Sequence, residues 1–303
     1  MICIFMKLFF SYVNNLVHNI VYLSKHKLWQ QREDDIIFLS KKMIDDVGFE
    51  YNLITHPIIK VLNKEKSLEL LKNTKKSFIR FGDGEINLMN GYNQPFQRYD
   101  KILAKSLIEQ LKNKNDNIYI CVNYSYFSPL GNIYTGYSDY ERRYSYSFRK
   151  FLCKHCNPHS IYLDASVTFW HKLGEHTENS SVFWNQWKEF FRNEKIAIIC
   201  GRGILDKLKF DVFEYAKEKK FIYGPKKHAW SERNIIIEDI LSQVPKDWKL
   251  VFILGMAGKA IIPCMVELGY IAWDIGHLAK GYDLYMKKVK IDMNIVSDFF
   301  KPD

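Results

Sequence analysis

The chain has 303 residues, of which 47% are hydrophobic and 26% charged, with a formal net charge of +10. This length and composition exclude a disulfide-stapled miniprotein, a disordered tail and a fibrous repeat, and they suffice for one large globular domain or two small ones. The charge favours an anionic partner. Lys and Arg are dispersed without a long basic run, so a phosphate-bearing small molecule or an acidic membrane surface is expected, and no nucleic acid.

Residues 1–23 are mostly apolar, but Lys7, Ser11, Asn14 and His18 fall on one helical stripe. That stripe argues against a spanning helix. Little charge before the apolar stretch and the lack of a small-residue cleavage site argue against a signal peptide. Two readings stay open. One is a helix lying in the membrane plane, with Lys25, His26 and Lys27 behind it, so that residues 1–27 give peripheral contact at the inner, cytoplasmic face. The other is a helix packed on its own domain or on a partner subunit. Residues 28–64 read as partly helical with a break near Thr55-His56-Pro57, and residues 1–64 together form an amino-terminal helical extension.

From residue 65 to 303 the pattern changes to alternating helices and short apolar strands, with no linker or internal repeat to divide it. A helix at 65–73 precedes a strand at 77–81, and a helix at 100–113 precedes a strand at 118–122. A Tyr-rich loop at 124–137 leads into a basic, aromatic helix at 139–153. Further strands are expected at 160–163, 195–200, 220–223, 249–254 and 271–274, with helices around 181–192, 205–219, 230–242 and 257–268. Strands alternating with helices predict an α/β fold, a Rossmann-like and mostly parallel sheet with helices on both faces.

Six cysteines lie at 3, 121, 153, 156, 200 and 264, several inside apolar strands. Buried thiols in a reducing compartment account for them. Cys153 and Cys156, with His155 and His159, resemble half a zinc site, but no second Cys pair follows at a suitable distance.

In an open α/β sheet, ligands bind beyond the carboxyl ends of the strands. Four such exits carry residues suited to chemistry. The first, Arg80-Phe81-Gly82-Asp83-Gly84-Glu85, sets two carboxylates two positions apart, between glycines that let the backbone bend. Asp83 and Glu85 could converge on a hard divalent cation, or could be the acidic first turn of an ordinary helix. The second exit, Cys200-Gly201-Arg202-Gly203, has two glycines of a dinucleotide fingerprint but Asp206 where the third should stand, which leaves a simple tight turn or a basic turn beside a phosphate. The third, Leu254-Gly255-Met256-Ala257-Gly258-Lys259, is too short for a P-loop, yet its amides and Lys259 could hold a diphosphate. The fourth, Trp273-Asp274-Ile275-Gly276-His277 followed by Tyr282-Asp283, supplies an imidazole and carboxylates suited to a base or to acceptor positioning.

These blocks together resemble the GT-D-type glycosyltransferases, which include bacterial enzymes that glucosylate glycans on serine-rich adhesins. Residues 81–85 with Phe96-Gln97-x-Tyr99-Asp100 look like the amino-terminal signature of that family. Residues 254–259 and Leu268 to His277 resemble its last block. Tyr162 to Thr168 and Gly224 to Trp230 match more loosely, in the same order, so the likeness covers roughly residues 65–285. It implies a nucleotide-sugar fold, a divalent cation (Mn2+, or Mg2+) at Asp83 and Glu85, and inverting transfer of a hexose from a UDP-sugar, UDP-glucose first among them. The acceptor it implies is a glycan of a surface polysaccharide or a glycoprotein. Arg80, Gly82, Gly84, Gly255 and Lys259 then serve the donor diphosphate, and Asp283 or His277 serves as base. The chain departs from the family at Gly281-Tyr282-Asp283-Leu284, where a Glu-Tyr-Glu-Trp-like run is usual. It departs again at Thr168-Phe169-Trp170, usually Thr-Arg-Pro, and at Cys200-Gly201-Arg202, where an acidic Glu-Gly element is replaced. The rival reading is a catalytically degenerate nucleotide-binding module that organises a glycan-assembly complex. A two-metal nuclease or phosphohydrolase would want more clustered acids than the one good pair present.

Overall fold

The computed structural model describes residues 59–127, 138–170 and 176–289, with scattered positions before residue 41 and Phe299. The chain divides into two compact units, residues 1–56 with 128–150, and residues 57–127 with 151–303. In the first unit, described positions between Met6 and Val17 are helical, with Phe9, Phe10, Val13, Leu16 and Val17 exposed. The rest of the expected amino-terminal helix, most of 28–58 and the loop from 128 to 137 lie outside the described residues. Among the described residues, no helix is long and apolar enough to cross a membrane.

The second unit is built on eight strands: β1 (Lys60–Val61), β2 (Ser77–Phe81), β3 (Ile118–Val122), β4 (Ile161–Asp164), β5 (Lys195–Gly201), β6 (Glu218–Gly224), β7 (Lys249–Ile253) and β8 (Ile271–Asp274). They form one sheet in the order β1-β4-β3-β2-β8-β7-β5-β6. Every pairing is parallel. The helices are α1 (Lys64–Thr74), α2 (Asp83–Met89), α3 (Lys101–Leu111), α4 (Ser138–His155), α5 (Glu178–Phe190), α6 (Arg233–Gln243), α7 (Gly255–Glu267) and α8 (Leu278–Met286). The expected α/β sheet is present, with all seven expected strands and one addition, β1. At two residues β1 is too short to show a period.

Both faces of the sheet are covered. On one, α5 places Phe183, Trp184, Trp187 and Phe190 at helical spacing on a single stripe. They join Leu68 and Leu71 of α1 and Leu278, Ala279 and Tyr282 of α8 over Phe78 and Trp273. On the other face α3 packs against α2 and α7, and α6 against α7. Burial of each such large side chain contributes about 1.5–3 kcal/mol. Connectivity then makes a crevice. The chain leaves β2 into α2 on one face and leaves the adjacent strand β8 into α8 on the other, so the sheet opens at their carboxyl ends.

The helix expected at 205–219 is not formed. Residues 202–217 run as turns into β6. Side chains compete there with helical hydrogen bonding: Asp211 Oδ1 accepts from Phe213 N–H at 2.8 Å, and Asp283 Oδ1 accepts from Lys209 and Phe210 N–H at 2.8 and 3.1 Å. Val212 and Phe213 are buried in the aromatic core by this path. Helix α2, whose acidic first turn is one reading of residues 83–85, and α8, absent from the sequence expectation, both start at the crevice.

Candidate active site

The crevice is lined from the exits of β2, β8 and β7. Gly82 is extended (φ −107°) and starts α2, whose first turn carries Asp83 and Glu85. Glu85 turns back so that its Oε2 accepts from Gly82 N–H at 2.8 Å, the carboxylate half of a capping box. Asp83 is exposed. A side chain at Gly84 would place its Cβ 3.3 Å from Met256 Cε and 3.7 Å from Gln94 Oε1, so the turn lies close against the start of α7.

From Glu85 a chain of alternating charges runs across the crevice. Lys259 Nζ, on α7, lies 3.2 Å from Glu85 Oε1 and 3.1 Å from Asp274 Oδ2. Asp274, at the end of β8, accepts from Arg80 N–H at 3.0 Å and lies 3.5 Å from Arg80 NH2. Arg80 donates again through Nε to the Asp274 carbonyl at 2.9 Å and through NH1 to the Ala165 carbonyl at 3.3 Å. Two carboxylates and two cations balance, which permits ionised groups at this depth: Lys259 is 5% and Asp274 2% exposed. Burial alone would raise the Asp274 carboxyl, but Lys259 and Arg80 outweigh it and hold it below the usual carboxylate range. Gly276 (φ +50°) makes room for this network, because a Cβ there would sit 1.9 Å from Arg80 NH2. Gly255 opens α7 at φ +56° with nothing crowding it, so its backbone conformation selects glycine.

His277 occupies the position before α8, its ring 6.3 Å from Phe96 and 5.3 Å from Phe299. Burial, followed by the nearby charges of Arg80, Lys280 and Lys259, pushes its pKa down to about 3, so the imidazole is neutral at pH 7. The loop bearing Phe96 is fastened from across the site. His228 N–H donates to the Phe96 carbonyl at 2.7 Å and His228 Nδ1 accepts from Arg98 N–H at 3.0 Å. Trp230 donates to Gln97 Oε1 at 3.3 Å and to Asp100 Oδ1 at 3.1 Å. The 96–100 part of the amino-terminal signature and the looser block at 224–230 are therefore one structural clasp.

Arg80, Glu85 and Lys259 thus meet in one network, with Gly82, Asp83, Gly84 and Gly255 at the two helix starts. Asp283 has a different setting. It is buried in α8, with one carboxylate oxygen on the 209–210 amides and the other paired with Lys287. From the sequence, none of Asp274, Phe96 and the His228 clasp is assigned to the donor or metal site. Asp274 reads there with His277 as a strand-exit candidate for a base or acceptor role, whereas the structure places it between Lys259 and Arg80.

Among the described residues, no group of three or more His, Cys, Asp and Glu forms a metal cage. Asp83 and Glu85 nonetheless offer hard oxygen donors. A magnesium- or manganese-sized cation can take one carboxylate and complete its shell with phosphate and water. Asp83 is the exposed donor, while both oxygens of Glu85 are engaged, by Gly82 N–H and by Lys259. Cys121, Cys156 and Cys200 are buried thiols. Burial pushes Cys156 up to about 12.

Residues 78–300 match the GT-D glycosyltransferase fold family model. The fold is therefore of a glycosyltransferase class. The chain belongs to the GT-D fold family. It is 28% identical over 240 residues to a probable glycosyl transferase Gly of Streptococcus gordonii, covering 75% of this chain and 33% of that protein. It is 23% identical over 230 residues to the glycosyltransferase GlyD of Streptococcus pneumoniae serotype 4, covering 75% and 28%. The chain thus spans about a third of the length of these relatives. Among solved structures, a domain of unknown function 1792, described as having a distinct glycosyltransferase fold, superposes with TM-score 0.71 at 25% identity over 82% of this chain and 88% of that one. A glycosyltransferase of the same domain type from Streptococcus sanguinis gives TM-score 0.67 at 23% identity over 78% and 88%.

Proposed function

We propose that the chain transfers a hexose from a UDP-sugar, UDP-glucose first among the candidates, to a hydroxyl of a surface glycan or glycoprotein, with inversion. The observation that carries this reading is the charged crevice between β2 and β8, where an exposed Asp83 stands beside the Glu85–Lys259–Asp274–Arg80 chain. Asp83 and Glu85 would hold a divalent cation, Mn2+ or Mg2+, which when bound supplies Lewis-acid stabilisation of the departing diphosphate. Arg80 and Lys259 add positive charge beside the phosphates, while Gly82, Gly84 and Gly255 keep the backbone low enough for them to approach. His277 takes the acceptor hydroxyl proton. Its imidazole is neutral at pH 7, and a diphosphate settling among the cations that depress its pKa would raise its basicity. Asp283, with both oxygens engaged, we assign to holding the 209–210 turn.

The test is metal-dependent turnover across a panel of nucleotide sugars. Asp83→Asn should lower turnover by about 100-fold or more at unchanged thermal stability, since the side chain is exposed and carries chemistry rather than packing. Full activity in this variant would end the assignment. The departures at 281–284 favour a second reading, a nucleotide-binding scaffold without turnover. UDP binding by calorimetry together with inactivity on every donor would select it. For the amino-terminal helix we propose peripheral contact with the inner membrane face through residues 1–27, supported by the exposed Phe9, Phe10, Val13, Leu16 and Val17.

A further inference from the structure

Glu85 has two oxygens, and both are taken: Oε2 by Gly82 N–H at 2.8 Å and Oε1 by Lys259 Nζ at 3.2 Å. The two partners differ in kind. The Gly82 amide is fixed backbone at a helix start. Lys259 is a buried ammonium on a flexible four-carbon stem, with a second carboxylate, Asp274, 3.1 Å away to fall back on. Arg80 lacks such freedom, being tied through its backbone N–H, Nε, NH1 and NH2.

We propose that Lys259 is the resident counter-ion of Glu85, holding the second carboxylate of the pair closed to a divalent cation until an anionic diphosphate draws the ammonium away. The inference rests on the reading of Asp83 and Glu85 as the cation's carboxylates. Without the anion, a cation meets Asp83 and an oxygen already neutralised at contact distance. With it, Lys259 turns toward the phosphate while keeping Asp274, and Glu85 Oε1 opens. Cation and diphosphate therefore bind with positive coupling, and the lysine side chain carries that coupling. A merely structural lysine would alter stability and leave metal affinity alone.

The experiment is titration of the full-length chain with Mn2+ alone and then with Mn2+ in the presence of UDP, reading free Mn2+ by electron paramagnetic resonance. The wild-type chain should bind Mn2+ weakly alone and about tenfold more tightly with UDP, a coupling of ordinary size. Lys259→Met, which keeps the apolar stem, should bind Mn2+ alone about fivefold more tightly than wild type and lose most of the gain from UDP. Equal affinity of the two for Mn2+ alone overturns the proposal. Should Lys259→Met not fold, Asp274→Asn tests it with the opposite sign. Lys259 then has Glu85 as its one carboxylate, and Mn2+ binding with UDP should weaken; unchanged binding overturns the proposal. Asp83→Asn separates the two levels. If it leaves UDP-dependent Mn2+ binding intact, the carboxylate reading itself falls and the counter-ion role falls with it.

Discussion

At the scale of single residues, the site is a set of charges whose states are set by their neighbours. His277 and Asp274 are both held below their ordinary pKa values, His277 by burial with the nearby cations and Asp274 by Lys259 and Arg80 against its burial, and they govern different pH windows. Unfolded, an imidazole titrates near about 6.5. Folded, His277 refuses the proton until about pH 3. Between those values the unfolded chain binds a proton that the native chain does not, so stability falls as pH is lowered from about 6.5. Asp274, held low by Lys259 and Arg80, stabilises the native chain at pH above its unfolded value of about 3.9, and that contribution is lost only in stronger acid. We therefore expect His277→Asn to lose less melting temperature than wild type between pH 7 and pH 5. Parallel losses would refute the depressed imidazole. The sequence carried the site residues as separate strand-exit clusters. That Arg80 and Asp274 touch depends on β2 lying next to β8, an adjacency that no local spacing encodes.

At the scale of elements, strands were the easier part to read because buried parallel strands are short apolar runs, as in Lys195-Ile-Ala-Ile-Ile at the start of β5. Helix α5 was legible from its aromatic stripe. The 202–217 segment was not, since its Leu, Phe and Val spacing suits a helix while the decisive partner, Asp283, comes from α8. That partnership makes a prediction. Asp283→Ala removes the acceptor for two backbone amides and the partner of Lys287, so urea unfolding should show a loss of about 2–3 kcal/mol. UDP affinity should be unchanged. If stability holds and turnover is lost instead, Asp283 belongs to the chemistry as a base.

At the scale of the whole molecule, the formal charge of +10 and the exposed apolar residues of the first unit belong to one expectation. The chain should co-sediment with vesicles containing phosphatidylglycerol, less so as salt rises. The double variant Phe9→Ser, Phe10→Ser should bind them more weakly. Equal sedimentation of the variant and wild type would remove the membrane role and leave packing against protein. The parallel sheet was legible from the strand-helix alternation, whereas the crevice was not. It arises from strand order, because the chain runs outward from β2 through β3 to β4, crosses to β5 and the far edge strand β6, and returns through β7 to place β8 beside β2.

Gly276 has an implication that extends to relatives of this chain. Its missing Cβ is the volume occupied by the Arg80 guanidinium, so the two positions are sterically coupled. Asparagine tolerates a backbone at φ +50°, but it could enter position 276 only in a lineage that had first exchanged Arg80 for a shorter side chain. Arginine at 80 and glycine at 276 should therefore covary among descendants of a common ancestor. A deep mutational scan would register the same dependence as epistasis, with asparagine at 276 more deleterious beside arginine than without it.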